Sequence, residues 1–532
     1  VQNGGPGKEA SIILRGGDSR HVLVLIDGVK VNTSTTGGLD FSGILVEDIE
    51  RIEIIKGPQS TIYGSEAMAG VVNIITKKPG SSGLELRVEG GSYGTYSPSF
   101  SVYSKSETHS LRLTGSYLST DGISAAKDGD ERDGYRNSTL SAGLVLKPMR
   151  GLEIEFHSRY YQDRTELDGF DFMTMRAADD PNYIQRGDHL LNSLTLKTYL
   201  HERWQQVLQL SRNEDKLKGT DPDTSFNNYT IKTVTDGINW QHNIYIGSLY
   251  TLTAGIEYRK EDALNSGNFD QDRESHAYYL NNRIAPLKDL VLNAGLRYDH
   301  YELSGSRTTY RLGALYNIRS AGLRIRSNYG TGFRAPSMNE LYYPFFGNPD
   351  LKPEKSSAWD AGIEKDLFSE RVILYVAYFR EDYKDLINYD PNTWTAKNIN
   401  RARVKGVETE LRFRVSEELN IKGGYENLDA EDRDTGKRLS RRPEHKVNLE
   451  LSLSKGPFSG TVYYTYVGGR YDSAINRDLP PYSVVNLSSS LKFTKELTAF
   501  VRIENLLDRD YEEAGGYGRP GFSAYGGIRI TL

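Results

Sequence analysis

Leu290-Val291-Leu292-Asn293-Ala294-Gly295-Leu296-Arg297-Tyr298-Asp299 reads with a period of two. Leu290, Leu292, Ala294, Leu296 and Tyr298 share one side, and Asn293, Gly295, Arg297 and Asp299 share the other. Successive side chains of a strand point to opposite faces, so this segment is a strand between an apolar and a polar medium. The same alternation sets Leu111, Leu113 and Tyr117 against Arg112, Thr114 and Ser116. It recurs in Val407, Leu411, Phe413 and Val415 against Glu408, Glu410, Arg412 and Arg414, and in Val447, Leu449, Leu451 and Leu453 against Asn448, Glu450 and Ser452.

The connections between such segments alternate in length. Long polar ones fall at 119–135, 164–187, 214–227, 261–273, 333–355, 382–395, 430–442, 470–481 and 508–521, and tight turns such as 148–151, 286–289, 416–418 and 494–496 lie between them. Long loops on one rim and short turns on the other, with about 22 strands after residue 83, predict an all-β transmembrane barrel of antiparallel strands. A soluble propeller would repeat a blade motif every ~40–50 residues, and the sequence has no such repeat. Tyr160-Tyr161, Tyr298 with Tyr301, and Tyr463-Tyr464 with Tyr466 are candidates for interfacial girdles.

Composition agrees with this architecture and removes several others. Of 532 residues only 37% are hydrophobic, while 36 are Tyr and 52 are Gly. A barrel needs apolar residues only on its outer face, because water or a plug fills the lumen. The longest apolar run, Val22 to Ile26, stops at Asp27, far short of the ~18–20 residues of a membrane-spanning helix. There is no Cys, which excludes disulfide scaffolds and thiol chemistry, and the net charge of −5 argues against nucleic acid as a partner. The nine His form no ligand spacing, and Gly57-Pro58-Gln59-Ser60 lacks the Lys-Ser/Thr of a phosphate loop. Asp18-Ser19-Arg20-His21 holds triad residue types, but four adjacent residues rarely converge in triad geometry. An enzyme therefore has no support.

Residues 1–80 have a different texture. Short β-branched runs (Ile12 to Leu14, Val22 to Ile26, Arg51 to Ile55, Val71 to Ile75) alternate with Gly turns and two helix-like pieces, 41–48 and 59–68. The Lys77-Lys78-Pro79-Gly80-Ser81-Ser82-Gly83 stretch reads as a linker. The chain is thus divided into a small mixed α/β unit at 1–80 and a barrel at 83–532. Arg15, Glu53 and Lys56 must lie inside a lumen lined by Glu408, Glu410, Arg412 and Arg414, and buried charge needs partners, so plug-to-wall salt bridges are expected.

Ser11 to Gly16, Val22 to Val29, Ile52 to Pro58 and Ile62 to Thr76, in that order, resemble the plug of TonB-dependent outer-membrane receptors. Asn328 to Pro336, Gly347 to Lys355, Val404 to Glu408 and Glu504 to Tyr511 resemble the barrel of that family. Asn3-Gly4-Gly5, His21 leading into Val22 to Gly28, Leu341-Tyr342 with Gly347 to Lys355, and Arg470-Tyr471-Asp472 resemble its cobalamin-receptor branch more than its siderophore branches. The final Leu532 departs from the usual terminal aromatic.

The resemblance implies a receptor in the bacterial outer membrane that imports cobalamin or a related corrinoid, with a ferric siderophore or haem as the alternative cargo and a passive porin as a weaker one. It implies membrane lipid around the barrel and TonB as the energising partner. A family plug is longer than residues 1–80, so about 50 residues carrying the TonB-binding segment are expected upstream of Val1. Two plug loops, 3–10 and 31–37, are expected to carry ligand contacts through Asn3, Lys8, Glu9, Ala10, Asn32 and Thr35. Asp168 and Asp171, with Asp221 and Asp223 on the next loop, are expected to bind calcium, which takes 6–8 oxygen ligands. Asp179 and Asp180 fit that pattern less well.

Overall fold

Strand Gly83–Gly91 pairs antiparallel with strand Ser523–Thr531, setting Gly91 opposite Tyr525 and Glu85 opposite Thr531. That contact closes a barrel of 22 antiparallel strands in this computed structural model, which describes all residues except 79, 172–175, 391–392 and 394. Pro79 of the linker and part of the long acidic loop lie outside the described residues. No described helix is long and apolar enough to cross a membrane, so the strands do the crossing. Closure is what permits this, because it leaves no unpaired sheet edge in a medium that offers no hydrogen bonds.

The alternating faces behave as the sequence dictates. Leu292, Leu296 and Tyr298 are exposed on the outer surface, whereas Arg297 and Asp299 of the same strand are almost completely buried in the lumen. In the girdle candidates the period of two separates neighbours. Tyr160 and Tyr298 are exposed, while Tyr301 is buried and Tyr161 stacks on His189 inside. Tyr464 pairs across with the exposed Leu449, whereas Tyr463 pairs with Glu450.

The lumen holds a four-stranded sheet built from β1 (Val22–Ile26), β2 (Val29–Lys30), β3 (Ile49–Lys56) and β4 (Gly70–Thr76), in the order β2-β1-β4-β3. β1 and β4 are central and parallel, and their residues pack a small core of Val22, Val24, Ile26, Val72 and Ile74. The helix-like pieces prove shorter than the sequence reading. The first is a 3-10 turn, Phe41–Gly43, capped by the Asp40 side chain. The second is one helical turn, Ser60–Tyr63, ended by Gly64 at φ 81°, a conformation that favours glycine.

Several expected loops are strand. Tyr250–Asn265 and Phe269–Leu287 run through most of 261–273, and Val372–Asp390 runs through most of 382–395. Strand Trp204–Thr220 likewise leaves only 221–227 of the 214–227 loop. These upper strand ends rise into water on the long-loop side, where both faces are polar, so the ladder continues after the alternation has vanished from the sequence.

Candidate ligand vestibule and acidic rim

On the long-loop side, plug and wall enclose a cavity of about 490 Å³. Its floor is Gly16, Gly17, Asp18, Arg20 and His21 of the plug. Its walls are Tyr383, Leu386 and Asn388 on one barrel strand, Lys437, Arg438 and Arg442 on a long loop, and Tyr471 on another. A cavity of about 950 Å³ lies at the opposite mouth, between Lys77, Lys78, His157 and the terminal Thr531 and Leu532, on the short-turn side.

Charged side chains fix the floor of the upper cavity to its walls. His21 Nε2 lies 2.9 Å from Glu354 Oε2, and Asp18 donates its backbone N–H to His21 Nδ1 at 3.2 Å. The His21 ring stacks on Tyr383 at 5.2 Å. Arg334 donates to Glu354 at 2.6 Å and to both oxygens of Glu340 at 2.8 Å. Arg20 donates to Glu340 at 2.7 Å and to Asp18 at 3.1 Å, and Arg442 reaches Asp18 at 3.6 Å and the Gly16 carbonyl at 3.0 Å. Burial alone would raise the Asp18 carboxyl, but Arg20 and Arg442 hold it well below the usual carboxylate range. The cavity is therefore rigid below, rich in donors above, and flanked by the Tyr383 and Tyr471 rings.

The six plug residues expected to contact ligand are placed differently from one another. Asn3 spends its amide on Glu9 at 3.2 Å, and Glu9 is exposed. Lys8 is 2% exposed, with its ammonium on the Asp133 carbonyl at 3.2 Å, so it tethers the plug to the acidic loops. Ala10 donates its N–H to Asp40 at 2.9 Å. Asn32 accepts from Val24 N–H and donates to the Val22 and Gly37 carbonyls, which holds the 31–37 loop in shape. Thr35 is buried, and its carbonyl accepts from Asn339 N–H of the short helix Met338–Tyr342. Sequence reasoning missed Arg20, Tyr383, Lys437, Arg438 and Arg442. Only His21 and Tyr471 had a signal, through the motifs they belong to.

The carboxylates of the rim gather into two clusters, each with ligand oxygens within 4.8 Å of one another: Glu131, Asp168 and Asp179, and then Asp180, Asp221 and Asp223. Consecutive Asp179 and Asp180 thus serve different clusters. Asp171, on the hairpin strand Gly169–Asp171, joins neither cluster among the described residues. Asp168 Oδ1 is buried without a hydrogen-bond partner, while Asp221 accepts from Asp223 and Thr224 N–H and from the Asn227 amide. Hard oxygen donors crowded in threes, one of them buried and unsatisfied, suit calcium.

Below the cavity the expected plug-to-wall bridges are present. Arg15 donates to both Glu408 oxygens at 3.2 and 2.9 Å, and Lys56 donates to Glu408 at 3.0 Å. Asp48 of the plug meets Arg112 at 3.2 Å and Arg159 at 3.1 Å on another side of the wall. Lys30 pairs with Glu257. Glu53 departs from expectation, since it is exposed on the edge strand β3 and pairs with Arg51 at 2.8 Å within the plug.

The family model described as TonB dependent receptor-like, beta-barrel matches residues 80–506, and the TonB-dependent Receptor Plug Domain matches residues 1–71. The chain is 30% identical over 525 residues to the vitamin B12 transporter of Photobacterium profundum, covering 96% of this chain and 84% of that protein. Among solved structures, the siderophore receptor PirA from Acinetobacter baumannii superposes with a TM-score of 0.85 at 19% identity, covering 100% of this chain and 94% of that one. The ferric enterobactin receptor of Pseudomonas aeruginosa superposes at 0.83 and 19% identity, covering 100% and 93%. At such identities the structural likenesses concern the fold.

Proposed function

The chain belongs to the TonB-dependent receptor family of the bacterial outer membrane, and on that premise we propose that it imports cobalamin or a related corrinoid. Members of the family are receptors and transporters, so the task is binding and gating, with no bond made or broken in the cargo. The observation that carries the reading is the 30% identity to a vitamin B12 transporter along almost the whole chain.

The vestibule chemistry is compatible with that cargo. Cobalamin is a large ring with a periphery of carboxamides and one phosphodiester. Arg20, Lys437, Arg438, Arg442 and Asn388 supply donors for these groups, and Tyr383 and Tyr471 supply flat apolar surface. About 490 Å³ admits one edge of such a ligand, leaving the remainder to the loops above. Calcium on the two acidic clusters would neutralise carboxylates that otherwise repel, and so order the loops around the ligand. Energy comes from TonB on the short-turn side.

The same cationic side chains favour one second reading, a ferric siderophore, whose chelating groups are anionic. Calorimetry with cyanocobalamin and with a ferric catecholate separates the two. Saturable heat with the corrinoid supports the first, and heat with the ferric complex alone replaces it with the second.

A further inference from the structure

One carboxyl in the seam between plug and wall stands apart from the ion pairs around it. Glu381 is 3% exposed and sits between Phe379 and Tyr383 on the inward face of strand Val372–Asp390, opposite Ala358 on one neighbouring strand and Val404 on the other. Phe379, Tyr383 and Val404 form one buried cluster with Met68 of the plug. The backbones close tightly here. A Cβ on Gly17 of the plug would stand 2.9 Å from the Tyr383 hydroxyl, and one on Gly332 of the wall 2.8 Å from Ser356 Oγ and 3.1 Å from Met68 Cα. Glu381 Oε1, Ser356 Oγ and the Tyr383 hydroxyl are all buried without a hydrogen-bond partner.

The charges that face it are already paired with one another. Arg15 of the plug is held by both Glu408 oxygens and reaches Asp360 at 3.8 Å. Glu354, on the adjoining strand, lies between His21 and Arg334. Arg442, on the long loop above, turns to Asp18. Arg380 and Asp382, the alternate residues of the same strand, face outward and pair at 2.9 Å, and Arg403 of the next strand reaches Asp382 at 2.6 Å. A charged exterior of this kind places the level of Glu381 above the hydrocarbon. Burial pushes the Glu381 carboxyl up to about 7, against the smaller pull of the Ser356 and Tyr383 hydroxyls and of Arg15.

We propose that Glu381 seals this seam as an uncharged carboxylic acid, and that parting Met68 and Ala69 from the wall releases its proton to the water that enters. An ionised carboxylate in a seam whose nearby cations are all engaged is costly, whereas an unseated one titrates near the ordinary ~4.3. As pH rises from there toward about 7 the unseated state gives up its proton first, so the plug seats most firmly in acid and is progressively released over that window. Above it both states are ionised and the dependence flattens. Tyr383, which also lines the vestibule, joins this seam to the cargo side. The linkage holds whichever cargo the vestibule takes.

The test uses the full chain in lipid bilayers. Infrared spectra of the native chain minus those of Glu381→Gln are expected to show the carbonyl stretch of a protonated carboxylic acid at about pH 6 and to lose it by about pH 8. Absence of that band overturns the inference. Amide exchange at Ala69, whose N–H donates to the His21 carbonyl at 2.8 Å, reports the opening itself. Corrected for the intrinsic pH dependence of exchange, opening of the native seam is expected to rise about tenfold or more between about pH 5 and about pH 7.5. It is expected to be insensitive to pH in Glu381→Gln and in Glu381→Leu, which fills the seam without a titrating group. Resistance of each barrel to detergent unfolding at room temperature shows that the variants are folded. An equal rise in native and variant chains assigns the effect to other groups and overturns the inference, as does a native seam whose opening does not change with pH.

Discussion

Arg15 of the plug grips Glu408 of the barrel wall with two hydrogen bonds, from Nε at 3.2 Å and from a terminal nitrogen at 2.9 Å. Both side chains are nearly buried, and Arg15 also lies over the Phe379 ring at 4.6 Å. Arg15 adopts φ 46°, an unusual backbone for a residue with a side chain, followed by Gly16 at φ 73°. The turn aims the guanidinium at the wall.

Removing one partner of a buried pair strands the other charge, at a cost of about 3–5 kcal/mol. Glu408→Ala strands Arg15 and frees Lys56 as well, so it is expected to loosen the plug most. Lys56→Ala, at a side chain one-third exposed, is expected to cost no more than about 1 kcal/mol. Single-barrel conductance in planar bilayers checks this: Glu408→Ala should leak and Lys56→Ala should stay closed.

The long loops of the vestibule are tied by Asp472, which accepts from Gly515 N–H at 2.8 Å, Ala474 N–H at 3.1 Å and Arg441 at 2.8 Å. Burial works to raise its carboxyl, and these donors outweigh burial and depress it. A depressed carboxyl stabilises the fold above the unfolded value of about 3.9, and that stability is lost as pH falls through the folded value. Loops 433–444, 470–481 and 508–522 are expected to become protease-sensitive only below about pH 4, and Asp472→Asn should make them so at neutral pH. Limited proteolysis across pH reads the difference.

Asn32 and Arg442 should separate scaffold from contact. Asn32→Ala leaves the buried Val24 N–H and two carbonyls unpaired, which costs about 1–3 kcal/mol in stability. Its effect on ligand affinity follows from loop disorder and reaches TonB-independent binding and thermal stability together. Arg442→Gln with Tyr383→Phe is expected to weaken cargo binding about tenfold, as loss of a charge-assisted hydrogen bond would, with a smaller fall in melting temperature than Asn32→Ala because Arg20 still holds Asp18. Isothermal titration and thermal melting, run in parallel, distinguish the two.

Calcium binding is expected at both carboxylate clusters, with Asp179→Ala removing one ion and Asp180→Ala the other. Chelation should lower cargo affinity by about tenfold by releasing the repulsion within each cluster. Direct calcium titration monitored by terbium displacement checks the stoichiometry; no saturable binding would leave a merely solvated rim.

Much of the fold is legible in sequence because the lipid enforces it. Leu292 and Leu296 can face nothing but hydrocarbon, so their alternation with Arg297 and Asp299 survives as an unambiguous pattern. Above the membrane that constraint ends, and the strand residues 261–265 and 269–273 look like loop. The site is harder for a related reason. Asn32 and Thr35 carry the right chemical groups, but tertiary packing consumes them, and the cations that line the cavity, Lys437, Arg438 and Arg442, come from a loop more than 400 positions away in sequence. Asp179 and Asp180 rank low in sequence because a linear count of carboxylates cannot show that one dipeptide divides between two clusters.

The central claim is the identity of the cargo, and isothermal titration of the purified chain with cyanocobalamin tests it most directly. The account predicts one saturable site with sub-micromolar affinity, weakened by calcium chelation and by Arg442→Gln with Tyr383→Phe. No heat with cyanocobalamin or its corrinoid precursors, together with tight binding of a ferric catecholate, would contradict it.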